Sequence, residues 1–479
     1  MAGELKDNAW VFFLPCKDAT GRDVLTWVVK RTYDIEPESG RVFPTAEQPP
    51  IEECDRFPDG MDGSNSPPLV ESELVPFKVA ADVVVQARAM APGGKPVPSF
   101  DVTVQVGPLK KAVRVFGRRT CTFQTPKKES KDPTKRVPTP PLFSDPEPIK
   151  TVDISWENAY GGMSYIVPLD PETYAVAKAQ AMEVDAQARA GAGLPPAEPT
   201  DPDALDVLPC PTNPFGKGFI LGNFAETIDG VELPLIEDPE NLLTPENIVV
   251  EAIDLPNAPA PAGFGWYGRS WFPRAGLWGV QEVEKEDQEN MIRERVLDMN
   301  PEDPGERVTI EAVLDLKLPI MKPECYNAAA PGMTIKELIG DEGVTITNIE
   351  PSGIYSFHLP REKPLLFVDR GNGPEFVSVG LDTVFVRPDE NRFSLVWRGY
   401  QPYGGLDELT TYTKIEPTVE VLSLDAYRER MIKIPQPEEK KPEPSQPDPE
   451  KKKARAKLRK KIEAMRQRIA ECKAKEGKE

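Results

Sequence analysis

Apolar and polar side chains alternate along much of the chain, and this pattern predicts strands. The first clear example runs from Val24 to Tyr33, where Val, Leu and Trp are interleaved with Thr, Lys and Arg. A period of two places successive side chains on opposite faces of a strand. Comparable patterns occur at 77–91, 99–106, 110–123, 151–156, 308–318, 344–349, 354–359, 376–387 and 392–401.

Turn residues separate the strands that are predicted between positions 77 and 123. The segment from Pro92 to Pro96 contains two glycines and two prolines, and Gly107-Pro108 follows the next strand. Glycine tolerates a positive φ and proline fixes φ, so both residues favour turns. We therefore expect an antiparallel meander here. The predicted fold class is mainly β, with antiparallel sheets, helical insertions and a C-terminal helix on a Pro-rich linker.

Two stretches interrupt the β pattern and predict the helical insertions. Pro171 to Ala190 is rich in Ala, Glu, Gln and Lys and has no internal Gly or Pro, which favours a helix. A second helix is predicted from Glu282 to Met299. We expect a β-rich body at 1–433, which could divide into subdomains 1–165 and 210–433 around a helical insertion at 166–209.

The end of the chain differs from the body in composition. Residues 434–449 contain six prolines among charged residues, which predicts an extended linker. Residues 450–479 predict a basic amphipathic helix, because Leu458, Ile462, Met465 and Ile469 recur at spacings of four, three and four. An apolar seam without a neighbouring core favours partner binding, and the alternative is that this helix docks on the acidic body.

The composition limits the chemistry that the protein can perform. The 479 residues carry 78 acidic and 58 basic side chains, a formal net charge of −20, which argues against a nucleic-acid partner. The single histidine, His358, excludes a metal site built from several histidines. Gly216-Lys217-Gly218 lacks the spacing of a phosphate-binding loop. We expect no metal and no cofactor.

The sequence also predicts where the protein resides. No apolar signal region follows Met1, and no run of ~18 apolar residues occurs, so we expect neither a signal peptide nor a membrane partner. The six cysteines show no Cys-x-x-Cys spacing, which predicts reduced thiols. The expected location is cytoplasmic.

Two aromatic segments supply the candidate site residues of the body. Trp156, Glu157 and Tyr160 follow a predicted strand, and Trp266 and Trp271 belong to a segment with six aromatic residues between positions 264 and 278. Flat rings can line a partner-binding surface, although packing in the core is the commoner role of tryptophan. Glu157 is the best single candidate for a catalytic acid, and a polar residue at a strand end is the alternative.

Many short strings along the chain resemble, in their order, one bacterial family. They are Val29-Lys30-Arg31-Thr32-Tyr33, Phe77 to Val85, Ala91 to Val97, Val106-Gly107, Arg114 to Arg119, Ser155 to Gly162, Asn213 to Phe219, Trp271 to Arg274, Tyr326 to Ala329, Gly340-Asp341-Glu342, Phe357 to Pro360, Leu381 to Val384 and Val396 to Gly399. This is domain-of-unknown-function family 2169, which is found beside type VI secretion genes and regarded as a family of effector adaptors or chaperones.

The resemblance implies a non-enzymatic adaptor or chaperone. Such a protein would bind a toxin effector in the cytosol and help to load it onto a spike protein of the secretion system. Partners of this kind can add a strand to the edge of a β-rich body. The alternatives are a carboxylate-dependent hydrolase that acts through Glu157 and a structural component of the spike tip. The resemblance supplies no catalytic residue.

Overall fold

The computed structural model describes residues 3–18, 22–63, 66–123, 141–166, 206–221, 230–250, 259–277 and 322–433, together with Lys460 and Ala464. Within these residues strands are far more frequent than helices, and most strand pairs are antiparallel. Two α-helices lie near position 433, α1 (Gly405–Leu409) and α2 (Leu424–Ile432). The expectation of a mainly antiparallel β fold is therefore confirmed.

The largest sheet has eight strands and combines both ends of the body. Its members are β1 (Glu4–Lys6), β2 (Ala9–Lys17), β3 (Asp23–Glu36), β4 (Arg41–Pro44), β5 (Ala81–Val85), β20 (Thr334–Ile335), β25 (Val379–Arg387) and β26 (Arg392–Pro402). Their order is β1-β2-β3-β26-β25-β5-β20, with β4 paired to β3. The strand that follows the N-terminal hairpin thus pairs with one that lies more than 350 residues later in the sequence.

β3 lies at the centre of this sheet because both of its faces are apolar. Trp27 and Val29 point into the main hydrophobic core, whereas Val28 faces a smaller cluster on the other side. That smaller cluster also contains Ile51, from the irregular segment after β4. Because both faces of β3 are buried, apolar residues also occupy positions at which a simple alternating pattern would place polar ones.

A second sheet of five strands packs against the same main core. It contains β7 (Ser99–Val106), β8 (Leu109–Phe116), β18 (Ile236–Glu237), β21 (Gly343–Thr347) and β22 (Ile354–His358), in the order β18-β8-β7-β21-β22. Val102, Val104 and Val106 alternate with more exposed residues and point into the core. This is the period of two that the sequence showed.

Smaller sheets complete the body. Three strands form the set β23 (Glu362–Asp369), β24 (Pro374–Val377) and β27 (Glu416–Ser423), and three form β9 (Thr120–Thr122), β10 (Leu142–Phe143) and β17 (Val231–Glu232). Four pairs remain: β6 (Arg88–Met90) with β11 (Thr151–Asp153), β12 (Tyr160–Gly161) with β15 (Lys217–Gly218), β13 (Met163–Ile166) with β14 (Asp206–Pro209), and β16 (Ile220–Leu221) with β19 (Val249–Val250).

The predicted meander between positions 77 and 123 is only partly correct. β7 and β8 form the expected antiparallel hairpin, but β5 pairs in parallel with β25 and β6 pairs with β11. β5 is buried at all five positions, so it needs cover on both faces and lies inside the large sheet. Local turn residues could not reveal this distant partner.

The predicted helical insertion at 166–209 has strands at both ends. Ile166 ends β13, and it pairs with Asp206, the first residue of β14. The structure thus shows a hairpin where the insertion was expected to begin and end. Several predictions lie outside the described residues: the interior of the insertion at 167–205, the second helix at 282–299, the strand at 308–318, the linker at 434–449 and the seam of the C-terminal helix.

The states of the cysteines and the properties of the helices can be compared with the predictions of reduced thiols and of no membrane span. Cys16, Cys121, Cys210 and Cys325 carry free thiols. Cys54 is disulfide-bonded, so the expectation of six reduced thiols is wrong at this residue. None of the helices in the described part of the chain has the length and apolar character needed to cross a membrane.

Candidate functional site

A cavity of about 310 Å³ brings three of the predicted site residues together. Five separate segments wall it: the loop with Pro58 and residues 66–69, the pair Gln86-Ala87 after β5, the end of β11 with the turn after it, the pair Gly265-Trp266, and the end of β25 with the turn after it. We call this cavity the aromatic groove. The residues that define it here are Pro58, Pro67, Leu69, Trp156, Glu157, Trp266, Arg387, Asp389 and Glu390.

A short 3-10 turn after β11 sets the positions of Trp156 and Glu157. The turn spans Trp156–Asn158, with Trp156 buried and Glu157 exposed. The side-chain amide of Asn158 donates to the carbonyl of Asp153 (3.0 Å) and thereby closes the turn. Since successive residues of a 3-10 turn point about 120° apart, one side chain enters the core while the next reaches solvent.

A buried asparagine fixes this turn to a second loop. Asn213 is fully buried, and its side-chain amide donates to the carbonyls of Trp156 (2.8 Å) and Tyr160 (2.9 Å). The two loops approach so closely that a Cβ on Gly161 would lie 2.1 Å from the carbonyl oxygen of Asn213. Gly161 also has a φ of +145°, which favours glycine. Two of the strings that carry the family resemblance therefore meet here.

The ring of Trp156 lies in the core behind the groove. Its indole N–H donates to the carbonyl of Trp266 (2.7 Å), and its ring packs edge-on against Tyr267 and Trp271 at centroid distances of 5.3 and 5.8 Å. A Cβ on Gly263 would lie 2.8 Å from this ring. Edge-to-face packing of this kind stabilises aromatic clusters. The packing role that was favoured for the segment 264–278 is thus confirmed for Trp266 and Trp271, which are both 3% exposed.

The structure separates the predicted site residues of the body into two groups. Trp156, Glu157 and Trp266 line the aromatic groove, whereas Trp271 packs behind it. Tyr160 belongs to a different cluster with Cys121 and Cys210, and burial raises the pKa of its hydroxyl. Leu458, Ile462, Met465 and Ile469 lie outside the described residues. Partner binding by all of these residues stays a prediction.

Two buried donors at the groove have no acceptor among the described residues. They are the indole N–H of Trp266 and the Nε–H of Arg387. Burial without a partner is also consistent with the lowered pKa of Arg387, because desolvation disfavours its charged form. A buried donor without an acceptor typically costs about 1–3 kcal/mol.

The rim of the groove is acidic. Asp153, Glu157, Asp389 and Glu390 line it together with one base, Arg387. Asp153 pairs with Arg88 at 2.6 Å, and Glu390 pairs with Arg387 at 3.0 Å. Glu157 and Asp389 are exposed, and within the described part of the chain neither forms an ion pair. Two carboxylates are therefore available to a cationic partner.

Buried ion pairs hold the segments around the groove in place. Glu71 and Arg274 are 2% and 5% exposed and form a bidentate pair, with Oε1 2.6 Å from the guanidinium Nη2. Arg274 also donates to the carbonyls of Tyr267 (2.7 Å) and Cys325 (2.9 Å). This pair joins the loop that contains Leu69 to the aromatic segment. It also explains physically why an arginine ends the string Trp271 to Arg274.

Sequence reasoning missed the half of the groove that comes from distant segments. Arg387 ends β25 and Asp389 follows it, and Pro58, Pro67 and Leu69 belong to the loop before β5. The only local signal is proline, which marks turns at positions 67, 68 and 388. Nothing in the sequence indicates that these turns face Trp156. His358, the single histidine, is exposed on β22 and does not line the groove.

Comparisons with known proteins identify one family. The family model described as "Uncharacterized protein conserved in bacteria (DUF2169)" matches residues 20–398. No curated protein and no solved structure matches the chain. The matched range includes all five segments that wall the aromatic groove. Within the described residues, no three His, Cys, Asp or Glu side chains are grouped in a way that could hold a metal ion.

Proposed function

Since the chain belongs to the bacterial family DUF2169, we propose that it is a non-enzymatic adaptor that binds a type VI secretion effector in the cytosol and helps to load it onto the secretion spike. The type VI part of this proposal rests on the resemblance of the sequence strings. The binding part rests on the aromatic groove. Both the effector and the spike protein are partners in this proposal, and neither nucleic acid nor membrane is one.

The observation that carries the binding role is the acidic rim of the groove. Glu157 and Asp389 are exposed carboxylates that line the groove, and neither forms an ion pair within the described residues. An extended peptide offers the complementary charge through its Lys or Arg side chains, and its apolar side chains can contact the rings and Leu69 of the groove.

The groove fits a segment of a client better than a whole folded surface. Its walls are the rings of Pro58 and Pro67 and the exposed side chain of Leu69, which is 43% accessible. A volume of about 310 Å³ accommodates only a few side chains. A loader must also release its cargo, so modest affinity suits this role. The C-terminal segment at 450–479 would add a second contact and raise the effective concentration of the client.

Charge reversal in the groove tests this function. The tagged full-length protein and its Glu157→Lys/Asp389→Lys variant are used to capture partners from the cytosol of the cells that make the protein, and mass spectrometry identifies the captured chains. We expect near-stoichiometric recovery of an effector or a spike protein with the original chain and at least tenfold less with the variant, because two attractive charges become repulsive.

A matched control separates the groove from overall charge. Glu147→Lys/Glu246→Lys changes the net charge equally at two exposed acids that do not line the groove. This variant should capture the partner as well as the original chain does. Equal losses in both variants would mean that only net charge matters, and equal recovery with all three proteins would reject the groove as the client site.

The hydrolase alternative is tested with a smaller change. Glu157 is exposed, so Glu157→Gln should keep the fold. The loss of a hydrolytic activity from the correctly folded variant would favour the enzyme. The spike-tip alternative makes a different prediction, since a tip component should appear outside the cell after secretion, whereas a loader should stay in the cytosol.

A further inference from the structure

A second cavity, of about 460 Å³, is lined by charged residues that are mainly basic, whereas the rim of the aromatic groove is acidic. It is bounded by the segment before β5, the segment after β20, the first residues of β25 and helix α2. We call it the basic cleft. The residues that define it here are Lys78, Lys336, Ile339, Lys363, Leu381 and Tyr427.

The cleft is positively charged although the whole protein is acidic. Five basic side chains line it, and only two acidic ones, Glu337 and Asp382, do so. Lys78 is neutralised by Asp82 at 2.7 Å, and Arg398 is neutralised by Asp382 at 2.5 Å. These two pairs are buried and form the floor.

Two lysines of the cleft form no ion pair within the described residues. Lys336 is exposed and lies just after β20. Lys363 is half-buried on β23, with its ammonium 5.1 Å from the ring centroid of Tyr427 on α2. Burial lowers the pKa of Lys363, and the charge of Glu337 opposes this only in part. An anionic group placed between the two lysines would be attracted to both.

The rim of the basic cleft is apolar. Val79, Ile339 and Tyr400 line the cleft and are 45%, 58% and 41% exposed. These are three of the large apolar side chains that the described residues expose to solvent. An apolar rim beside charged residues is typical of a protein-binding surface rather than of a site for a small ion.

The backbone of β25 is accessible at this place. β25 pairs with β5 only from Thr383 onward, and before that it has a single bridge, from Leu381 to Leu338. Asp382 is the extra residue of a β-bulge at this point, between Leu381 and Thr383. Gly380 is exposed, and a Cβ there would meet no heavy atom within 4 Å. The sheet thus leaves room beside the first residues of β25 for an added extended segment.

We propose that the basic cleft binds an extended segment of a partner protein in which acidic side chains alternate with aliphatic ones. Its carboxylates would pair with Lys336 and Lys363, and its aliphatic side chains would cover Ile339 and Val79. Alternation suits an extended strand, which presents successive side chains to opposite faces. The basic C-terminal segment of this chain has the wrong charge for the cleft, with 15 basic and 9 acidic residues at 438–479.

The proposal is tested with an array of synthetic ten-residue peptides in which the number of glutamates, lysines and leucines varies independently. The full-length protein is labelled and its binding to each peptide is measured at two salt concentrations. We expect binding to peptides of alternating Glu and Leu, little binding when Lys replaces Glu or Ser replaces Leu, and weaker binding at high salt.

Three variants connect the binding to the cleft. Lys336→Gln/Lys363→Gln should reduce affinity for the Glu-Leu peptides roughly tenfold, because two ion pairs are lost. Ile339→Asp should reduce it through the apolar rim, and Ile339 is exposed enough to be replaced without a change in the core. Lys110→Gln is the control, since Lys110 is exposed on β8 and does not line the cleft.

The outcomes distinguish this proposal from the proposed function. Loss of peptide binding in the two cleft variants, with Lys110→Gln unchanged, supports the acidic-aliphatic partner. Absence of binding by the original chain, equal binding of Lys-Leu peptides, or unchanged binding in Lys336→Gln/Lys363→Gln overturns it. The variants of Glu157 and Asp389 report on the aromatic groove alone, so either site can fail without the other.

Discussion

Lys111 is a buried base whose partners are carbonyl oxygens. Its ammonium donates to the carbonyls of Gly263 (2.9 Å) and Pro331 (2.6 Å), and it lies 6.0 Å from the ring of Phe264. Burial lowers the pKa of Lys111 to about 8, and the charge of Asp238 opposes this only in part. Lys111 joins β8 to two segments, one of which carries Trp266.

The lowered pKa of Lys111 predicts a dependence of stability on pH. Between pH 8 and about 10.5 the unfolded lysine keeps its proton while the folded one has lost it, so stability increases as the pH rises through this window. At 1.36 kcal/mol per pH unit the gain is at most about 3 kcal/mol. Urea unfolding at pH 8 and pH 10 should show this increase relative to Lys111→Met. A constant difference between the two proteins would contradict it.

The buried pair of Glu71 and Arg274 predicts a large effect of a single substitution. In Arg274→Met the carboxylate of Glu71 stays buried, and among the described residues Arg269, at 3.2 Å, is its remaining cation. Breaking a buried pair in this way typically costs about 3–5 kcal/mol. Urea unfolding should detect it. Arg41→Met, which breaks an exposed pair with Glu36, is the control and should change the free energy of unfolding far less. Similar losses in both would refute the structural role of Arg274.

At the scale of elements, the turn with Trp156 depends on its contact with the loop that holds Asn213. We expect Gly161→Ala to separate the two loops, because the new Cβ would lie 2.1 Å from a backbone oxygen. The thermal midpoint should fall, and partner capture by the groove should decrease with it. Gly93→Ala is the matched control, since Gly93 also has a positive φ, of 64°, but a Cβ there meets nothing within 4 Å. Comparable losses would show that φ alone matters.

Elements with a long local pattern could be predicted from the sequence. β7 spans Ser99–Val106, the range that its alternation indicated, and β26 and β3 were both recognised from their apolar residues. Strands of two residues, such as β15 and β20, were missed because two residues carry no periodicity. The parallel pairing of β5 with β25 was also missed, since it depends on contacts between residues about 300 positions apart.

The aromatic groove was predictable only in part for the same reason. Trp156, Glu157 and Trp266 attracted attention through their residue types, which are local properties. Arg387 and Asp389, which line the same groove, come from the end of β25 and the turn after it, and this stretch has no distinctive composition beyond Pro388. The exposure of Glu157 and the burial of Trp156, one residue apart, follow from the 3-10 turn and not from the sequence pattern.

At the scale of the whole molecule, the two openings carry opposite charge. The aromatic groove has an acidic rim, and the basic cleft has two lysines that form no ion pair within the described residues. In our proposal one protein can therefore hold a basic client segment and an acidic partner segment without competition between them. The large sheet supports both openings, because β25 ends at the aromatic groove and begins at the basic cleft.

The measurement that tests the central claim most directly is photo-crosslinking in living cells. A photoreactive phenylalanine replaces Leu69, which is 43% exposed and lines the aromatic groove, or Phe43, which is 49% exposed and lies outside it. We predict a crosslinked partner protein from position 69 that is absent from position 43 and disappears with Glu157→Lys/Asp389→Lys. No crosslink from position 69, or the same crosslinks from both positions, would contradict the assignment of the groove as the client-binding site.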